Sequence, residues 1–127
     1  MIITNNPKFI NYKNKDFDNL EIVYKDVDAL EILKIGRDYI HKNYKLLTHP
    51  LYGNFRPNEL FYRTIIIEES EKLDFESLEL IENSIFKIEK ILKNTKKKNA
   101  TDSILKDYAY IDFQIIKENM EGGLRNV

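Results

Sequence analysis

Residues Arg63–Glu68 read RTIIIE, and the three isoleucines in a row decide the fold. A strand that is half exposed alternates apolar and polar residues. An unbroken β-branched run is apolar on both faces and belongs in the middle of a layered α/β sheet.

Working outward, the segment before this run is a long connection, Thr48–Tyr62, reading THPLYGNFRPNELFY. It holds two of the three prolines and one of the four glycines, together with a histidine and an arginine. Long loops of varied chemistry between core strands are common places for binding and catalysis. Before the loop, Tyr44–Thr48 reads as a strand. His41, Lys42 and Asn43 suit the C-terminal end of a helix, where cations and Asn are favoured. That helix begins at Asp28, an N-cap that forms a capping box with Glu31. Its inward face is Ala29, Ile32, Leu33, Gly36, Tyr39 and Ile40. Leu20–Tyr24 reads as a further strand, and Ile2–Thr4 as the first. The first strand stops at Asn5-Asn6-Pro7, a capping asparagine before a helix-starting proline, and Lys8–Asn14 is expected to be a short helix.

On the other side of the isoleucines, Asp74 caps a long helix from Phe75 to about Asn94. Its stripe is Leu78, Ile81, Ile85, Ile88 and Leu92. Thr101 caps the last helix, Asp102 to about Glu121, with Ile104, Tyr108, Ile111, Ile115 and Ile116 expected to face inward. The order β, α, β, α, β, loop, β, α, α predicts a three-layer α/β fold in one domain over residues 1–127. The expected sheet is mostly parallel and four-stranded, flanked by helices, the last two of them long; the connection from the third to the fourth strand fits either a parallel crossover or a wide antiparallel return.

Composition excludes several functions. The net charge of −1 offers no general attraction to nucleic acid or anionic lipid. The absence of cysteine rules out disulfides, thiol catalysis and thiolate metal sites, and fits a reducing cytoplasm. The N-terminus has neither the basic start nor the apolar core of a secretory signal, and no apolar run approaches a membrane span. Phosphate-loop, dinucleotide and nucleophile-elbow motifs are absent. The two histidines, His41 and His49, have no metal-ligand spacing. No metal, cofactor or catalytic residue is assigned.

In an open α/β sheet ligands bind beyond the C-terminal ends of the strands. Two segments are expected to meet there, Thr4-Asn5-Asn6 after the first strand and the loop from His49 after the third. The candidate ligand-binding residues are Thr4, Asn5, Asn6, His49, Gly53, Arg56, Asn58 and Tyr62. Amides, an imidazole near neutral pKa and a guanidinium suit a small anion such as a carboxylate or phosphate. Each residue has a plainer use as well: the asparagines as caps, His49 and Gly53 in turns, Arg56 in an ion pair, Tyr62 in the core. Phe86, Tyr110 and Phe113 lie off the main helical stripes and suit a homodimer interface through the C-terminal helices.

The opening IITNNP, the phrase KLLTHPLYGNFRPNELFY with its following isoleucines, and the late DYAYIDFQIIK together resemble the GrdX family. These are small bacterial proteins encoded beside the glycine, sarcosine and betaine reductases of amino-acid-fermenting anaerobes. The resemblance covers most of the chain in the same order. Phe61 departs from it, because family members carry a proline before the tyrosine that matches Tyr62. The resemblance implies association with the reductase pathway and not a reaction; joined to the candidate residues, it points to an accessory protein that binds a small anionic ligand or a reductase component. It supplies no catalytic residues. The alternative is a small enzyme acting on a carboxylate- or phosphate-bearing substrate at the strand ends.

Overall fold

The computed structural model describes residues 1–14, 20–52, 60–94 and 99–122. Four strands form one sheet: β1 (Ile2–Thr4), β2 (Ile22–Tyr24), β3 (Tyr44–Leu46) and β4 (Thr64–Glu69). Three helices accompany them: α1 (Ala29–His41), α2 (Phe75–Asn94) and α3 (Asp102–Glu121). The strand order is β2-β1-β4-β3, so the isoleucine strand is internal, as its composition requires. Ile65 and Ile67 face one core with Ile3, Leu33, Ile81 and Ile85, while Ile66 faces a second with Ile2, Phe9, Ile116 and Met120. Helices α1 and α2 cover the first face and α3 the second, giving three layers.

The sheet is mixed, which corrects the expectation of a mostly parallel one. β1 and β2 are parallel, but β4 runs antiparallel to both neighbours, with Thr4 opposite Thr64 and Leu46 opposite Ile67. A parallel crossover is usually completed by a helix across the sheet. The connection from β3 to β4 lacks the periodicity for one, and the chain returns beside the strand it left. As a result the C-terminal ends of β1, β2 and β3 and the start of β4 share one rim.

Local chemistry sets the ends of the helices. Asp28 accepts from the Glu31 amide at 2.8 Å and Thr101 from the Ile104 amide at 3.2 Å. Asp74 accepts from the Ser77 amide at 3.2 Å. After α1 the chain turns at Asn43, whose φ of 66° is a left-handed value that asparagine tolerates. Gly36 lets α1 lie close on the sheet, since a Cβ there would stand 2.3 Å from Ile65 Cδ1.

Two further expectations are corrected. The short helix over Lys8–Asn14 is instead a single 3-10 turn, Pro7–Phe9; asparagines at 11 and 14 offer little support for continuing it. The inward face of α3 is Ala109, Asp112, Ile116 and Met120. Ile104 and Ile111, expected inside, are 42% and 41% exposed. A buried polar cluster around Asp112 sets this rotation.

Candidate functional site

The rim carries a buried hydrogen-bond network. Thr4, Asn6, Arg63, Thr64 and Asp112 are each at most 2% exposed. The Asp112 carboxylate accepts from three donors: the Tyr52 hydroxyl, the Thr64 hydroxyl at 2.7 Å and Asn6 Nδ2 at 3.0 Å. Because Thr64 gives its only hydroxyl proton to Asp112, Thr4 must donate to Thr64 across the 2.7 Å that separates their oxygens. Thr4 in turn accepts from the Asn6 backbone amide at 2.9 Å. The Thr64 amide donates to the Tyr52 hydroxyl at 3.0 Å, so each hydroxyl in the cluster both donates and accepts.

Arg63 joins through Tyr52. Its Nη1 donates to the Tyr52 carbonyl at 2.8 Å, and its guanidinium lies 4.1 Å from the centre of the Tyr52 ring. Two opposite buried charges, Arg63 and Asp112, therefore share one mediator. Arg63 Nε has no hydrogen-bond partner among the described residues. Burial, and after it the Asp112 carboxylate, pushes the Tyr52 phenol well above its ordinary range, against the opposing influence of Arg63. Tyr52 is accordingly a neutral donor at physiological pH.

Asn5 and Asn6 use both amide hydrogens inside the protein. Asn5 Nδ2 donates to the carbonyls of Val27 and Phe61 at 2.9 and 3.0 Å, and its Oδ1 accepts from the Arg63 amide at 2.8 Å. Asn6 Nδ2 donates to Ala109 O at 2.8 Å as well as to Asp112, while Oδ1 accepts from the Lys8 amide at 3.1 Å. Asn6 thus ties the 3-10 turn to α3.

Between that turn and α3 lies an open groove of about 510 Å3, lined by Pro7, Lys8, Tyr62, Asp102, Leu105, Lys106 and Ala109. This volume is in the range of small-molecule sites. Neither Lys8 nor Lys106 is ion-paired among the described residues. Lys8 reaches over the Tyr110 ring, 6.0 Å from its centre. Tyr62 is half-buried, and its phenol is raised by burial and further by Tyr24 and Asp26. It offers a protonated hydroxyl.

A family model described as GrdX-like protein matches residues 1–121. The chain belongs to the GrdX-like family. Comparison with curated proteins and with solved structures finds no match.

Within this GrdX-like protein the sequence-derived site residues separate. Thr4, Asn5 and Asn6 are in or beside the buried network, and Tyr62 lines the groove next to it. His49 is exposed and lines a different groove of about 430 Å3, with Lys45, Asp74, Glu76 and Ser77. Its Nδ1 accepts from the Leu51 amide at 2.9 Å, which leaves the proton of the neutral ring on Nε2. Gly53, Arg56 and Asn58 lie outside the described residues. Of the proposed interface aromatics, Phe86 and Tyr110 are exposed, but Phe113 packs on Phe9 and Tyr12 with centroid separations of 4.9 and 5.5 Å.

Sequence reasoning missed Lys8, Tyr52, Arg63, Asp102, Lys106 and Asp112. One signal was available: Leu105, Ala109, Asp112, Ile116 and Met120 keep a three-and-four spacing of their own. A single carboxylate within such a stripe marks a buried polar contact. Lys8 and Lys106 carry no such signal, because only the fold brings them to one groove.

Proposed function

We propose that this GrdX-like protein is a non-catalytic accessory component of the glycine, sarcosine and betaine reductase system that holds a small anionic ligand between Pro7-Lys8 and the first turns of α3. One observation carries the reading. Two lysines without carboxylate partners among the described residues, Lys8 and Lys106, line the same groove as a protonated tyrosine hydroxyl, that of Tyr62. Unpaired cations beside a neutral donor attract a carboxylate or phosphate and can bond it directly. Asp102 lines the groove too, and its charge favours a singly charged anion over a dianion. The buried asparagines shape the wall of the site, since their amide hydrogens are already committed.

The test is a titration of the full chain with acetate and, separately, with inorganic phosphate, followed by amide NMR signals. The reading expects saturable shifts centred on Lys8, Tyr62 and Lys106, with acetate the tighter ligand. Shifts that never saturate, or that centre on His49, contradict it.

A further inference from the structure

We infer that Asn6 is the positioning residue of this groove and that Tyr52 controls it from a distance through Asp112. The inference rests on the groove being the binding site, and it concerns what holds the groove open to its width. One wall is the 3-10 turn, the other α3. The Asn6 side chain hydrogen-bonds to both: Oδ1 takes the Lys8 amide at 3.1 Å, and Nδ2 gives its two hydrogens to Ala109 O and Asp112 Oδ2 at 2.8 and 3.0 Å. Lys8 and Ala109 both line the groove. Any rotation of the Asn6 amide therefore moves both walls.

The orientation of that amide depends on Asp112. A carboxylate with three donors converging on it has little freedom to turn. Tyr52 supplies one of the three and also accepts from the Thr64 amide at 3.0 Å. Tyr52 does not line the groove. It stands at the start of the β3–β4 connection, held by Arg63. Pulling Tyr52 away leaves an unfilled acceptor on Asp112 in a buried setting. Water or a turn of the carboxylate toward another donor must then satisfy it, and Asn6 is bonded to that carboxylate. Displacement of Tyr52 is thereby coupled to the width of a groove that Tyr52 does not line.

Tyr52→Phe tests this in the unliganded protein and by binding. Amide exchange of Lys8, which donates to Asn6 Oδ1, is expected to speed up several-fold in the variant, with Ile85 in α2 unchanged. Acetate affinity is expected to fall about fivefold although both lysines are intact. Unaltered Lys8 exchange, or equal acceleration at Lys8 and Ile85, overturns the coupling. If the parent protein binds neither acetate nor phosphate, the functional reading fails, while the exchange result still decides the coupling. Should Tyr52→Phe not fold, Asp112→Asn is read the same way: faster Lys8 exchange supports the link, and parent-like exchange refutes it.

Discussion

Asn6 and Asp112 stand 106 residues apart in the chain and 3.0 Å apart in the fold. This bond joins the end of the first strand to the last helix and explains why α3 presents a carboxylate to the core. The apolar residues Ile104 and Ile111 face outward in consequence. Burying a carboxylate is costly unless hydrogen bonds compensate it, and three donors converge on Asp112.

Removing that acceptor should be severe. Asp112→Ala leaves the hydroxyls of Tyr52 and Thr64 and one Asn6 hydrogen without their acceptor, and Arg63 without the balancing charge. The expected loss is about 3–5 kcal/mol, measured by urea unfolding of parent and variant. A loss below about 1 kcal/mol means that the cluster does not hold α3.

Alkali should destabilise the fold through Tyr52. Its phenol is raised in the folded state by burial and by Asp112, whereas in the unfolded chain it titrates near ~10. Below that value both states keep the proton and this contribution is fully present. Above it only the unfolded chain ionises, so stability falls as pH rises toward the folded value. Tyr62, raised more weakly in origin by its partial burial, acts in the same direction. Melting temperatures should decline above about pH 10, with a smaller decline in Tyr52→Phe; identical profiles contradict the assignment.

Gly36→Val should disrupt the packing of α1 on β4. A Cβ would meet Ile65 Cδ1 at 2.3 Å and Ile81 Cδ1 at 3.1 Å, both within the main core. Overpacking of this kind costs about 1–3 kcal/mol, which thermal unfolding will register. Parent-like stability means that the δ-methyls of Ile65 and Ile81, or α1 itself, can shift without penalty.

His49→Ala should have little effect on either stability or anion binding. His49 is exposed and belongs to the groove beside Asp74 and Ser77. A stability change within about 0.5 kcal/mol is expected, with acetate affinity as in the parent. Lost affinity shifts the site to the β3 side of the molecule.

Much of the architecture was readable because it depends on short-range chemistry. The Asp28, Asp74 and Thr101 caps, the Asn43 turn and the two-sided burial of Ile65–Ile67 each follow from residues a few positions apart. The direction of β4 was not readable, because a strand buried on both faces has the same pattern in either direction. The rotation of α3 was not readable from its strongest apolar stripe, because polar satisfaction between distant residues outweighed it. Of the proposed site residues, Asn5 and Asn6 lie at the strand-end rim, where their amides bond to the protein itself. His49 was drawn into the same site by its neighbourhood in sequence, whereas the fold gives it a separate groove.

The central claim is that Lys8 and Lys106 together hold an anion, and calorimetric titration of acetate into the parent and the Lys8→Ala/Lys106→Ala variant tests it most directly. Both lysines are exposed, so the double variant should fold with parent-like stability. The account predicts at least about a tenfold loss of affinity, equivalent to about 1.4 kcal/mol, and a parent affinity that weakens with added salt. Equal binding by the two proteins would contradict it.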